Sequence, residues 1–181
     1  MYETLRNKLD GLQKNSVVLL VVPTDFHHEI NMFTLKFWLD AANQGTYVSL
    51  HRPFNNLLDN FNAAKIDSKK LFFVDCVTKN ELDIPNCYFL KTENDLKSLN
   101  LALTSLIKSK DSSFIFIDSL TSLCVCNNEK SVLKFSKNII QKIHTKKLNG
   151  IIIGVSNNQN EKFLEEISAH CDETINLNEF Y

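Results

Sequence analysis

The sequence lacks the features that mark a membrane protein, a secreted protein or a strongly basic nucleic-acid-binding protein. Its longest apolar runs, residues 17–22 and 150–155, are far shorter than the roughly 20 residues of a transmembrane helix. The amino-terminal segment has no apolar core of the signal-peptide kind. The 20 Lys and Arg residues are balanced by 21 Asp and Glu residues, which argues against a surface of strong positive potential. These absences predict a cytoplasmic protein with no membrane partner and disfavour a nucleic-acid partner, although a local basic patch stays open.

The five cysteines form no CxxC pair, and their odd number leaves one unpaired in any disulfide scheme. We therefore expect reduced thiols in a reducing compartment. Cys124 and Cys126 would share one face of a strand, but few basic residues stand near them to activate a thiolate. No disulfide framework or zinc motif is predicted.

What the chain does contain is an alternation of short apolar runs with segments of helical spacing. Buried strands are predicted at residues 17–22, 46–50, 71–75, 113–119 and 150–155, with a weaker one in CYFL (87–90) and a last one in ETINL (173–177). The helix after the first strand is predicted to present Ile30, Phe33, Phe37 and Ala41 to the core and to end near Gly45. This order predicts one α/β domain, 1–181, whose mostly parallel sheet carries helices on both faces. Residues 1–15 form an amino-terminal helix or extension.

Ligands of such a sheet bind at the loops that follow the carboxyl ends of the strands. Those loops are PTDFHHEIN (23–31), HRP (51–53), DCVTKN (75–80) and DSLTSLCVC (118–126). Any chemistry is expected among their residues.

Several segments resemble the KaiC-like and RadA-like ATPases of the RecA superfamily. They are YVSLHRPFNNLLDNFNAAKIDSKKLFFVD, FIFIDSLTSL, EKSVLKFSKNIIQKIHTKKLNGIIIGV and LEEISAHCDETINL, in that order along the chain. The resemblance implies a three-layer RecA-like fold of the P-loop NTPase type. It also makes Asp118 the counterpart of the Walker B carboxylate, which holds Mg²⁺ through its water shell.

The loop after the first strand departs from that family's Walker A pattern. A phosphate loop needs glycines, so that backbone amides can approach the phosphates, and a lysine to meet their charge. The loop here has neither, and Ile30 and Asn31 stand where the resemblance places the lysine and the hydroxyl residue, give or take one position. Asp25 and Glu29 would add repulsion toward a triphosphate. We also expect Asp25 or a neighbour to cap the following helix.

A second departure follows the strand at 46–50. The resemblance implies an acidic pair there, one member of which activates the attacking water. His51 and Arg52 occupy the two positions, and a permanently charged arginine suits an anion better than a proton. No catalytic residue is therefore assigned, and no cofactor is expected; ATP with Mg²⁺ is disfavoured.

Two kinds of altered site stay open in this crevice. Asp118, His51 and Arg52 are the candidates for an altered nucleotide or small-anion site. No metal ligand is assigned, but His27, His28 and Asp118 are weak candidates for a transition-metal site, with His51 as a further contributor across the crevice. The alternative is a purely structural role, in which Asp118 caps the next turn or pairs with a basic side chain.

The sequence thus favours a non-catalytic RecA/KaiC-like pseudo-ATPase that acts as a regulatory or protein-interaction module, with signal transduction as its candidate role. Its expected partner is a protein, either an active RecA-like ATPase or a second copy of this chain. The alternative is a ligand-sensing domain or an atypical nucleotide-binding ATPase that uses the altered crevice.

Overall fold

The structure, a computed structural model, describes residues 1–41, 44–79, 84–90, 95–109 and 112–180. The strands of the described residues are β1 (Val17–Pro23), β2 (Gly45–Ser49), β3 (Leu71–Asp75), β4 (Cys87–Phe89), β5 (Phe114–Asp118), β6 (Asn149–Ser156) and β7 (Glu173–Asn176). They form one sheet in the order β4-β3-β2-β5-β6-β1-β7. All of the strand pairings are parallel. The predicted α/β class and parallel sheet are confirmed.

Six helices cover the two faces of the sheet. They are α1 (Tyr2–Asp10), α2 (His27–Ala41), α3 (Phe54–Ala63), α4 (Leu96–Ser109), α5 (Glu129–Thr145) and α6 (Glu161–Ser168). Helices α1, α2 and α3 bury apolar side chains on one face, and α4, α5 and α6 do so on the other. The central strands are buried on both faces, which explains their continuous apolar sequences. None of the helices in the described ranges is long and apolar enough to span a membrane.

The predicted core face of α2 was partly wrong. Ile30 is fully buried, but Phe33 and Phe37 are only partly buried and Ala41 is exposed. The buried side of this helix also carries polar residues: its buried residues are Ile30, Asn31, Met32, Thr34, Leu35, Trp38 and Leu39. Simple apolar spacing therefore misplaced the face, because part of that face serves a polar site.

The prediction that Gly45 is the residue at which α2 stops was wrong. Gly45 is the first residue of β2, four residues beyond Ala41, the last described residue of the helix, and residues 42–43 lie outside the described part of the chain. A Cβ at Gly45 would lie 2.2 Å from Cζ of Phe114, so the glycine leaves room for that ring on the neighbouring strand. Helix α4 is described from Leu96, and residues 91–94 before it likewise lie outside the described part of the chain.

Candidate functional site

The turn after β1 is a single 3-10 turn, Thr24–Phe26, which leads directly into α2 at His27. Ile30, at the position that the resemblance gives to the phosphate-loop lysine, is fully buried in the apolar core. Asn31, at the hydroxyl position, is also buried, and its Nδ2 lies 3.0 Å from Nε2 of His27. The chain therefore supplies neither a glycine-rich loop nor a lysine at the start of this helix.

Asp118 ends β5 with its side chain buried beneath that turn. The hydroxyl of Tyr47, from the adjacent strand β2, donates a hydrogen bond to its Oδ2. The His27 ring donates to the other oxygen, with 2.7 Å between Nε2 and Oδ1. Both carboxylate oxygens are thus bound by side chains of this chain. A cis peptide bond joins Asp118 to Ser119.

His51 and Arg52 complete the cluster from the loop after β2. Nδ1 of His51 lies 3.7 Å from Oδ1 of Asp118, and the His27 and His51 rings are 4.9 Å apart between centroids. Arg52 donates from Nε to Nε2 of His51 over 3.0 Å. A second donor of Arg52, Nη1, lies 2.6 Å from Nδ1 of His28. Arg52 thus links His51, which lies beside Asp118, to His28, which lies outside that contact.

The pKa values in the cluster are displaced in directions that follow from burial and charge. Burial would raise the pKa of Asp118, but the His27 hydrogen bond, the two histidine charges and the Tyr47 hydrogen bond together lower it. Burial lowers the pKa of His51 and of His28, in each case more strongly than Asp118 raises it. Burial, reinforced by the Asp118 charge, raises the pKa of Tyr47 well above its usual value. At neutral pH we therefore expect an ionised Asp118 beside neutral His51 and His28.

A cavity of about 870 Å³ opens beside the turn, between the carboxyl ends of β1, β6 and β7. Its lining includes the acidic side chains Asp25, Glu161 and Glu165, and no Lys or Arg among the residues that the structure describes. Asp118, His51 and Arg52 do not line it. An anionic wall disfavours a triphosphate, so this cavity does not replace the missing phosphate loop.

The residues present do not fit Mg²⁺ bound with ATP. Mg²⁺ requires an octahedral shell of oxygen ligands, and the only carboxylate at the site is already bound by a hydroxyl and an imidazole. The neighbouring groups are nitrogens rather than oxygens: His27, His51 and Arg52. The donor set suits a softer metal or an anion better.

The structure brings together most of the site residues that the sequence predicted. His27, His51, Arg52 and Asp118 meet in one cluster, whereas His28 turns toward Arg52 and does not contact Asp118. Asp25, proposed as a helix cap, is exposed within the 3-10 turn. Cys124 lies in a 3-10 segment, Leu120–Val125, so it does not share a strand with Cys126.

Two buried residues were not singled out by the sequence. Tyr47 was missed, although a tyrosine in a strand buried on both faces needs a partner for its hydroxyl. Asp75 ends β3 and accepts hydrogen bonds from the amides of Phe54, Val77 and Thr78, at 2.7–2.9 Å. Its carboxylate therefore stabilises the loop after β3 and the start of α3.

The strand order and the buried carboxylate at the end of β5 define a RecA-like α/β domain of the P-loop NTPase type. The structure is similar to that of a KaiC-like protein from the hyperthermophilic archaeon Pyrococcus horikoshii, with a TM-score of 0.69 and 12% identity, covering 92% of this chain and 72% of that chain. It is also similar to the RadB recombinase, with a TM-score of 0.62 and 13% identity, covering 96% and 80%. No curated protein matches the chain in sequence. The family model for the KaiC ATPase matches residues 8–179, and the chain belongs to this family.

Proposed function

We propose that this chain is a KaiC-like domain that does not hydrolyse ATP and that acts as a regulatory or protein-interaction module. The observation that carries the proposal is the state of Asp118. In the family's ATPases a carboxylate at this place would face the Mg²⁺ water shell, whereas here both of its oxygens bind Tyr47 and His27. An Mg²⁺ ion would have to compete with bonds formed inside a rigid, buried cluster.

The turn after β1 supports the same proposal. Phosphates bind at a helix amino terminus when glycines let the backbone amides turn toward them. Here the 3-10 turn carries side chains throughout, and the helix that follows buries Ile30 rather than presenting a lysine. Charge is unfavourable as well, because Asp25 and Glu29 lie beside this turn.

The loop after β2 removes the remaining hydrolytic group. A general base must be free to accept a proton from the attacking water. Nε2 of His51 already accepts a hydrogen bond from Arg52, and its Nδ1 faces the Asp118 carboxylate. Both ring nitrogens therefore already face groups of this chain, which argues against His51 as a general base.

The test is Mg²⁺-dependent ATP turnover by the purified chain, measured beside Asp118→Ala. We expect the wild type to release phosphate at the rate of the Asp118→Ala protein, because Asp118 has no role in hydrolysis. Glu166→Ala, a change at an exposed residue on α6, serves as the matched purification control. Turnover that needs Mg²⁺ and disappears in Asp118→Ala, but not in Glu166→Ala, would overturn the proposal.

A module without turnover would act through what it binds, and we propose a protein partner: a second copy of this chain or an active RecA-like ATPase. Light scattering of the purified chain over a range of concentrations tests self-association. Turnover of an active KaiC-like ATPase, measured with and without this chain, tests the second possibility. A monomer that leaves such turnover unchanged at saturating ratios would contradict this part of the proposal.

Arg52 favours a second candidate, a small-anion or nucleotide sensor. Its guanidinium is partly buried and bonds to two histidine nitrogens, and the ion pairs of the described residues include none for it. A permanent cation that has no carboxylate partner among the described residues is suited to an anionic ligand. Thermal shift with ATP, ADP, cyclic dinucleotides and inorganic phosphate, compared between wild type and Arg52→Met, tests it. Stabilisation that requires Arg52 would support a sensor, and an equal response of both proteins would remove the support.

A further inference from the structure

We propose that His27, His51 and Asp118 form a transition-metal site with three protein ligands, which binds Zn²⁺ or Co²⁺ rather than Mg²⁺. Each of these three side chains offers one ligand atom, and the three atoms lie within 4.8 Å of one another. They are the one such group of His, Cys, Asp and Glu side chains in the described part of the chain. Two imidazoles and one carboxylate are ligands that zinc prefers. The inference does not depend on the absence of ATP turnover.

The distances between ligand atoms are close to those of a tetrahedral site. Bonds of 2.0–2.1 Å to a tetrahedral zinc ion place the ligand atoms about 3.3 Å apart. The two distances from Oδ1 of Asp118 are 2.7 Å to Nε2 of His27 and 3.7 Å to Nδ1 of His51. They depart from the ideal value by about 0.6 and 0.4 Å in opposite directions. All three ligand atoms lie within 4.8 Å of one another, so side-chain adjustments without a change of backbone are enough for them to meet at one ion.

Surrounding bonds already orient the carboxylate for this task. Tyr47 donates to Oδ2 of Asp118, which leaves Oδ1 directed at both rings. Asp118 is fixed at the end of a central strand, and Nδ1 of His51 is buried without a hydrogen-bond partner among the described residues. Hydrogen bonds that hold a ligating group in place typically strengthen metal binding 10- to 100-fold. An oriented carboxylate oxygen and a histidine nitrogen without a hydrogen-bond partner therefore face each other in the cluster.

Arg52 opposes the metal and gives the proposal its sharpest test. Because Arg52 donates to Nε2 of His51, the neutral ring carries its proton on Nδ1, which is the ligand atom. Binding requires that proton to move to Nε2 of His51, where it then faces the N–H of Arg52. The proton that His27 donates from Nε2 to Asp118 must likewise leave that nitrogen, either to Nδ1 of the same ring or to solvent. Glutamine at position 52 can instead accept the Nε2 proton of His51 through its carbonyl oxygen. We therefore expect Arg52→Gln to bind the metal more tightly than the wild type, by about 10-fold.

The experiment is competition for Zn²⁺ against a chromophoric chelator with the full chain, together with the absorption spectrum of the Co²⁺ form. We expect one metal ion per chain and binding at least 10-fold weaker in His27→Ala, His51→Ala and Asp118→Asn. The matched control is His144→Ala, because Nε2 of His144 and Oδ2 of Asp172 form another pair at 2.7 Å outside the cluster. Its binding should equal that of the wild type.

Three results would overturn the proposal. The first is the absence of stoichiometric binding by the folded wild type. The second is binding that survives all three ligand changes, and the third is a Co²⁺ spectrum with thiolate charge transfer, which would assign the metal to the cysteines. Thermal melting shows whether each variant is folded. Because His27 and His51 lie on different elements, one of the two alanine variants still tests the site if the other fails to fold. ATP turnover is measured separately, so failure of this site and failure of the proposed function are distinguishable.

Discussion

The hydroxyl of Tyr47 is the part of the cluster whose removal can be predicted in most detail. Tyr47→Phe deletes one oxygen and keeps the stacked contact with Phe116, whose ring centroid is 5.3 Å away. It leaves Oδ2 of the buried Asp118 carboxylate without its donor. The expected loss of stability therefore comes from the hydrogen bond and not from packing.

A hydrogen bond to an ionised group contributes about 1.5–3 kcal/mol, and leaving a buried charge unsatisfied moves the cost toward the upper end. We expect Tyr47→Phe to lower the free energy of unfolding by about 2–3 kcal/mol, which for a chain of this size corresponds to a fall in Tm of about 5–10 °C. Urea denaturation followed by fluorescence of Trp38, the single tryptophan, measures it. Tyr88→Phe, at a half-exposed position, is the control and should change stability by less than about 0.5 kcal/mol.

A double-mutant cycle tests the reasoning itself. In an Asp118→Leu background the Tyr47 hydroxyl has lost its acceptor and is itself a buried unsatisfied group. Tyr47→Phe should then be neutral or stabilising, so the sign of its effect changes. A loss of the same size in both backgrounds would refute the account of a hydrogen-bonded carboxylate.

Three further predictions concern other parts of the chain. Gly45→Ala should lower the free energy of unfolding by about 1–3 kcal/mol in urea denaturation, because its methyl group would overlap the buried Phe114 ring. The control is Gly11→Ala, whose methyl group meets nothing closer than 3.5 Å and which should be near neutral. Equal effects of the two changes would contradict this prediction. Burial tends to raise the pKa of Asp172, but its bonds to the Val17 amide and to His144 lower it overall. A carboxylate whose pKa is lowered by folding stabilises the folded state at pH values above its unfolded pKa of about 3.9. The wild type should therefore be more stable to unfolding than Asp172→Asn at pH 7, and this difference should shrink below about pH 4. A difference that grew in acid would oppose the prediction. Burial raises the pKa of the Cys124 thiol to about 11 and that of the Cys171 thiol to about 12. Iodoacetamide near neutral pH should therefore label the exposed Cys126 first, and Cys126→Ser should remove that fast phase. Faster labelling of Cys124 would be inconsistent with this prediction.

Most of the fold was readable from the sequence because the strands are buried on both faces. Runs such as those of β1 and β5 have no polar residue inside them, and only a central strand of a covered parallel sheet combines that length and composition. The buried face of α2 was misassigned for a physical reason. Asn31 and Thr34 take up buried positions on this helix, and Asn31 lies 3.0 Å from the His27 ring, so apolar spacing gives no signal there.

The candidate site was predictable in most of its members, Tyr47 excepted, and not in its pairings. Parallel strands bring their carboxyl ends to one edge, so His27, His51, Arg52 and Asp118 had to lie near one another. Which histidine faces the carboxylate depends on the rotation of α2. Adjacent residues on a helix differ by about 100° in direction, so His27 contacts Asp118 while His28 turns to Arg52.

The central claim is that protein side chains take the places that Mg²⁺ and phosphate would need around Asp118. Calorimetric titration of ATP into the purified chain, with and without Mg²⁺, tests it most directly. The account predicts that Mg²⁺ adds no binding heat and that Asp118→Asn gives the same isotherm as the wild type. One-to-one binding of ATP that requires Mg²⁺ and is lost in Asp118→Asn would contradict it.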